Sequence, residues 1–428
     1  MAMSCNPNVL IADEPTTALD VTVQKTILEL MQKLQAQHNM GILFITHDLG
    51  VIAELADSVV VMYKGKIVEK GPVLQIFSQP QHPYTKSLLA CRPPLDKRLK
   101  RLPVVSDFMI RTEEGEIVEL DSNIKDTINS VIITPQEREQ QHKELYQRDK
   151  ILEIQNVKTW FPSKKTIFGK VLEYTKAVDD VSFDVYEGET LGLVGESGCG
   201  KTTLGRTILK LVDAHDGKIF YKRQELLRMK EVDFRELRKN MQIIFQDPYS
   251  SLNPRITIGD AIMEPMQVHQ LYNSTKERKE KVYELLKKVG LEEKHFNRYP
   301  HEFSGGQRQR VCIARALGLN PQFIICDESV SALDVSVQAQ VLNLLNELKK
   351  EFKFTYIFIS HDLSVVKFMS DRMVVMQKGK IEEIANADEI YFNPKTEYTK
   401  KLIHSIPKGS LEDIKRLHEE KNKMLFNA

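Results

Sequence analysis

This sequence repeats itself at one fixed distance. The stretch "LIADEPTTALD", starting at Leu10, recurs as "IICDESVSALD", starting at Ile324. Asp13 returns as Asp327, His47 in "FITHDLGVI" as His361 in "FISHDLSVV", and Gly65 in "YKGKI" as Gly379 in "QKGKI", each 314 positions later. "HPYTKSLL" at His82 and "TEYTKKLI" at Thr396 keep that offset. Register holds without insertion or deletion over roughly the first 88 residues. Such a repeat means two copies of one structural unit, and it has to be recognised before single elements are read.

The second copy carries a phosphate loop. "GESGCGKT", Gly195 to Thr202, fits G-x-x-x-x-G-K-S/T at every fixed position, and Thr203 follows. It comes after the apolar run "ETLGLV" and before "TLGRTILKLV", the strand–loop–helix setting the motif requires. Gly195, Gly198 and Gly200 let backbone N–H groups of the loop, through Glu196, Ser197 and Cys199, turn towards phosphate oxygens. The helix that follows adds its positive end. Lys201 is placed to reach the β and γ phosphates and Thr202 to ligate Mg²⁺. Cys199 reads as a space-filling residue.

The apolar strand "FIICDES" ends in Asp327, a second candidate for Mg²⁺, and Glu328, a candidate for orienting and polarising the attacking water. His361 ends the strand "YIFISHD", within reach of a γ-phosphate. "FSGGQRQR" (Phe303–Arg310) sets two glycines before a helix, a second anion-binding helix start within one domain.

Taken in order, "GESGCGKT", Gln246 in "IIFQDP", "FSGGQ", "IICDES", "SALD" and His361 resemble the nucleotide-binding domains of ABC transporters. The resemblance covers nearly all of residues 151–428, with residues 1–90 as the tail of a second copy. It implies an α/β P-loop NTPase fold: a RecA-like core, an antiparallel β subdomain and an α-helical subdomain. One complete copy is preceded by a partial one. It further implies that Gln246 couples Mg²⁺ to a transmembrane partner and that Ser304, Gly305, Gly306 and Gln307 cap the ATP of a partner domain. Asp334 would lie between two sites. For the aromatic that stacks on adenine, Phe161 is favoured over Trp160 and Tyr174. In the first copy the corresponding residues are Asp13, Glu14, Asp20 and His47. Two positions depart from the family pattern: Phe303 where Leu is usual, and Ser329 where Pro is usual, whereas the first copy keeps Pro15.

"FQDPYSSLNPRITIGD" and the "HPYTKSLL" tail resemble the ATPases of oligopeptide, dipeptide and nickel importers. That implies ATP and Mg²⁺ as cofactors, two transmembrane permease subunits and a substrate-binding protein as partners, and a peripheral place on the cytoplasmic face of the inner membrane. A second nucleotide-binding domain, on the same or another chain, would complete each site. Peptide, nickel and glutathione all remain open as cargo. Two alternatives are a soluble tandem ABC protein without a membrane partner and a truncated ATP-binding product without turnover.

The expected division is a first-domain remnant at 1–95, a charged linker at 96–150 with one short strand pair and one helix, and a complete domain at 151–428. "ILEIQNVKTWF" alternates like an edge strand. The 314-residue offset would place the first copy's phosphate loop before Met1, so Met1 is expected to be an internal methionine of a longer fusion protein. A net charge of +1 gives no global electrostatic case for nucleic acid. No apolar run approaches the roughly 18 residues that span a bilayer, and "MAMSCNPN" lacks the features of a secretory signal. Cys5, Cys91, Cys199, Cys312 and Cys326 form no C-x-x-C pair, which argues against a zinc site or a disulfide framework.

Overall fold

The computed structural model describes residues 2–16, 19, 21–112, 117–120, 124–166, 171–406, 411–412 and 414–416. The chain divides into two units, each described by itself. The first holds Met1–Ile133 with Asp334–Gln340 and His404–Ala428; the second holds Thr134–Leu333 and Val341–Ile403.

The first unit contains β1 (Val9–Asp13), α1 (Val21–His38), β2 (Gly41–Ile45), α2 (Leu49–Leu55), β3 (Ser58–Tyr63), β4 (Lys66–Pro72), α3 (Val73–Ser78) and α4 (Pro83–Cys91). β5 (Met109–Arg111), β6 (Ile117–Glu119) and α5 (Ile124–Asn129) follow. β1 and β2 pair in parallel, and β3 with β4 and β5 with β6 pair antiparallel. Ala53, Val59, Val61, Val73 and Ile76 form an apolar cluster joined by Ile414 from near the chain's end.

The second unit opens with α6 (Pro135–Tyr146) and a four-stranded antiparallel sheet. That sheet is built from β7 (Lys150–Lys165), β8 (Val171–Tyr186), β10 (Asp216–Tyr221) and β11 (Gln224–Glu225), in the order β11-β10-β7-β8. β7 is therefore interior, not the edge strand its alternation suggested. Alternation reports one buried face, here Leu152 and Ile154, and carries no information on how many strands flank it.

The main sheet contains β9 (Thr190–Val194), β12 (Met241–Ile244), β13 (Phe323–Asp327), β14 (Thr355–Ile359), β15 (Arg372–Gln377) and β16 (Lys380–Asn386), in the order β12-β13-β14-β9-β15-β16. β12, β13, β14, β9 and β15 run parallel, and β16 closes the edge antiparallel. β9, β13 and β14 are buried at every position. That is why they read as unbroken apolar runs, as interior parallel strands do. Around them lie α7 (Lys201–Ile208), α8 (Glu231–Leu237), α9 (Ile258–Val268), α10 (Thr275–Lys288), α11 (Gly305–Leu317), α12 (Val335–Phe352), α13 (Leu363–Met369), α14 (Ala387–Phe392) and α15 (Glu397–His404).

The repeat survives at the level of hydrogen bonding. β1 pairs β2 from Val9↔Gly41 to Asp13↔Ile45, and β13 pairs β14 from Phe323↔Thr355 to Asp327↔Ile359. The irregularity between Val61 and Met62 in β3 recurs between Val375 and Met376 in β15.

Among the described residues, the expected linker at 96–150 contains the strand pair β5–β6 and the α-helices α5 and α6; residues up to 133 group with the first unit and α6 with the second. The reason is electrostatic. Arg138, buried on α6, donates to Asp371 Oδ1 at 2.8 Å and to the Ser370 carbonyl at 3.0 Å.

Candidate active site

Ligand sites in open α/β sheets form beyond the carboxyl ends of the strands. Here β9, β13 and β14 are neighbours, and each ends in a residue singled out from the sequence. β9 delivers the loop Gly195–Gly200, β13 ends at Asp327 and is followed by Glu328, and β14 is followed after Ser360 by His361.

The loop is walled in. Gly195, Gly198 and Gly200 have φ of 146°, 75° and 108°, which L side chains rarely adopt. A Cβ on Gly195 would lie 2.2 Å from the Met376 carbonyl oxygen, and one on Gly200 would lie 2.1 Å from that of Ala177. The Gly379 N–H donates to the Cys199 carbonyl at 2.9 Å. Cys199 is buried, as a space-filling residue should be, and burial pushes its thiol above the usual range despite Lys201.

Lys201 is 4 % exposed, and its Nζ donates to the carbonyls of Gly195 at 2.8 Å and Glu196 at 2.9 Å. α7 starts at Lys201, so the N–H groups of Lys201, Thr202 and Thr203 lie in its first turn, where no intrahelical acceptor exists.

Thr202 Oγ1 donates to Asp327 Oδ1 at 2.8 Å. Asp327 is buried, and burial raises its pKa despite the Thr202 hydrogen bond. The Thr202 hydroxyl, the Asp327 carboxylate and the Gln246 side-chain carbonyl make a hard-oxygen donor set that suits Mg²⁺, which takes few protein ligands and keeps the rest for water and phosphate.

Glu328 is held from two sides. Gln246 Nε2 donates to its Oε2 at 3.1 Å, and His361 Nδ1 lies 3.2 Å from the same oxygen. Burial alone would raise the Glu328 pKa, but the His361 hydrogen bond, its charge and Lys201 outweigh it, so the group sits below the usual carboxylate range. Burial would lower His361, and Glu328 reverses this, leaving the imidazole above its ordinary value. The Glu328 backbone is left-handed (φ 49°), and its N–H donates to the Ile359 carbonyl at 2.9 Å. A non-glycine residue costs about 1–2 kcal/mol in that conformation. Here it aims the carboxylate at His361.

The first unit repeats this arrangement. Glu14 has φ 44°, its N–H donates to the Ile45 carbonyl at 2.9 Å, and its Oε1 lies 3.1 Å from His47 Nδ1. Asp13 ends β1 as Asp327 ends β13; Asp20 lies outside the described residues.

Two other expected residues cap helices. Ser304 caps α11: its Oγ accepts from the Gln307 N–H at 3.3 Å, and its own N–H donates to Gln307 Oε1 at 3.1 Å. That capping box leaves Gly305 and Gly306 in the first turn of α11. Phe303 is buried against His295, ring centroids 5.3 Å apart, so the larger ring replaces Leu without exposure. Asp334 caps α12, accepting from Ser336 Oγ at 2.7 Å and the Val337 N–H at 3.0 Å.

Of the aromatics, Trp160 stacks on His215 at 4.4 Å with Lys176 Nζ 4.6 Å from its ring. Phe161 is 41 % exposed and makes no ring or cation contact among the described residues. Tyr398 was missed. Its hydroxyl accepts from the Glu196 N–H at 3.2 Å. The signal was available, because Tyr398 repeats Tyr84 at the 314-residue offset.

Residues 178–331 match the ABC transporter family, and residues 68–115 and 383–424 each match the C-terminal region of oligopeptide/dipeptide transporters. The chain is 48 % identical over 407 residues to the glutathione import ATP-binding proteins GsiA of Pectobacterium atrosepticum and Escherichia coli K12. Those alignments cover 95 % of this chain and 62 % of the relatives, so the chain spans under two thirds of their length. Among solved structures it resembles a dimeric bacterial ABC transporter cassette, with TM-score 0.50 and 28 % identity over 55 % of this chain and 98 % of that one. It also resembles cbiO1 from Clostridium perfringens, part of the ABC transporter complex cbiONQ, with TM-score 0.51 and 25 % identity over 62 % of this chain and all of that one (100 %). No helix among the described residues is long and apolar enough to cross a membrane.

Proposed function

We propose that this chain binds and hydrolyses ATP to energise an ABC importer of the oligopeptide/dipeptide type. The observation that carries the reading is Glu328, held between Gln246 and His361 at the end of β13, one strand removed from the phosphate loop on β9. ATP would bind with its phosphates in the loop, under the N–H groups of α7's first turn. Lys201 would move its ammonium from the loop carbonyls to the β and γ phosphate oxygens. Glu328, kept ionised by its partners, would accept a hydrogen bond from the attacking water, while His361 would hold Glu328 and the γ-phosphate in line. Mg²⁺, held by Thr202, Asp327 and Gln246, would neutralise charge on the phosphates. Such catalysis is mostly positioning and charge stabilisation. Phe161 is the face offered to adenine.

Residues 1–95 read as the back part of a second such domain. The shared β-pairing register and the Glu14–His47 pair support this, as does the second match to the transporter C-terminal region. Ser304–Gln307, at the start of α11, would cap ATP bound to a partner domain, and Asp334 would lie between the two sites. The remaining partners would be two permease subunits and a substrate-binding protein, with the chain peripheral on the cytoplasmic face of the membrane. The relatives' names favour glutathione or a short peptide as cargo.

ATP turnover by the purified chain over a wide range of protein concentration tests the reading. Glu328→Gln should lower the rate by about a hundredfold or more while ATP still binds. Turnover undiminished in that variant would remove Glu328 from the chemistry.

A further inference from the structure

The match of residues 383–424 to a transporter C-terminal region assigns that segment no task at the nucleotide site. Its contacts supply one. The buried Glu383 carboxylate on β16 accepts from the Lys395 N–H at 3.0 Å and the Thr396 N–H at 3.3 Å. Thr396 Oγ1 then accepts from the Thr399 N–H at 3.2 Å. These bonds fix the first turn of α15 against the sheet, and that turn carries Tyr398.

The Tyr398 hydroxyl accepts from the Glu196 N–H at 3.2 Å, and Lys201 Nζ donates to the Gly195 carbonyl at 2.8 Å. Those two groups belong to the same peptide unit, the one joining Gly195 to Glu196. Its carbonyl end is gripped by the phosphate-binding lysine and its amide end by α15. A peptide plane held at one end only can tilt, and the seat of Lys201 tilts with it. The first unit keeps the same grip on a helix start: Glu69 accepts from the N–H groups of Gln81 and His82 at 2.8 and 3.0 Å, just ahead of Tyr84.

We infer that Tyr398 is a positioning residue for ATP: through the Gly195–Glu196 peptide, the C-terminal region sets the orientation of the phosphate loop and of Lys201. The inference rests on the reading of this loop as an ATP site. Tyr398→Phe removes the hydroxyl and leaves the ring. One neutral hydrogen bond is worth about 1 kcal/mol. In the full chain without nucleotide, the Glu196 amide should exchange about fivefold faster, with α15 amides and the melting temperature unchanged. KM for ATP should rise about three- to tenfold, with kcat within about twofold. Unchanged exchange at Glu196 would overturn the inference. So would faster exchange throughout α15, which would make Tyr398 a packing residue, or a fall in kcat at constant KM. If the unaltered chain bound no ATP, the reading of the site would fail, while exchange at Glu196 would still decide whether Tyr398 orders the loop.

Discussion

Replacing Gly200 by alanine tests whether the phosphate loop is shaped by its wall as well as by its torsions, and Gly198 supplies the control. Both residues sit at positive φ, 108° and 75°, so alanine at either pays a conformational cost of about 1–2 kcal/mol. Their surroundings differ. A Cβ on Gly198 would have nothing within 4 Å, whereas one on Gly200 would lie 2.1 Å from the Ala177 carbonyl oxygen on β8. Carbon and oxygen come no closer than about 3.3 Å in ordinary contact. Loop or strand must therefore shift by about 1 Å, and such overpacking costs a further 1–3 kcal/mol or so. Gly198→Ala should lower stability by about 1–2 kcal/mol and Gly200→Ala by about 2–5 kcal/mol, read as denaturant midpoints without nucleotide. A displacement of about 1 Å next to Lys201 should also reduce ATP turnover about a hundredfold in the Gly200 variant. Equal destabilisation by both substitutions would show that the Ala177 wall yields freely and that torsion alone shapes the loop.

Two further substitutions probe the charges around the sheet. Burial raises the Glu189 pKa to about 7 against Arg372, from 4.5, so the folded chain holds an extra proton between those values and stability should fall as pH rises through that interval. The shift corresponds to about 3 kcal/mol, and Glu189→Gln should abolish that downward slope when melting temperature is followed from pH 4.5 to 8. A slope retained in the variant would assign it to other groups. Thr202→Val keeps the shape but removes the donor 2.8 Å from Asp327. The Mg²⁺ concentration for half-maximal turnover should then rise about tenfold or more, and an unchanged Mg²⁺ titration would place the ion elsewhere.

What the sequence showed and what it hid follow one physical line. The glycine-rich loop at Gly195–Gly200 and the strand ending at Asp327 were legible because glycine spacing and unbroken apolar runs are local signals. The arrangement around Glu328 was legible only as parts. Residues 246, 328 and 361 lie on three separate strand ends, and the order β12-β13-β14-β9 that brings them together is a property of the sheet. Tyr398 was marked by its repeat partner Tyr84, but nothing local shows that its hydroxyl reaches back across 202 residues to Glu196. α6 was hard to place for a related reason. α6 shows no apolar stripe, yet Arg138, His142 and Leu145 are all buried, because charge and a few contacts dock that helix.

That docking decides where this chain can be cut. Arg138 meets Asp371 at 2.8 Å and Asp388 at 3.6 Å, and Asp371 in turn meets Lys349 at 3.3 Å. A fragment excised at Ile151, where the sequence motifs begin, would lose the arginine that Asp371 and Asp388 share and leave them Lys349 and Lys367 as ion-pair partners among the described residues. An excision at Thr134 would carry the arginine along. The second half of the segment expected to be a linker groups with the second unit, and a cut that keeps Arg138 with Asp371 and Asp388 falls before α6.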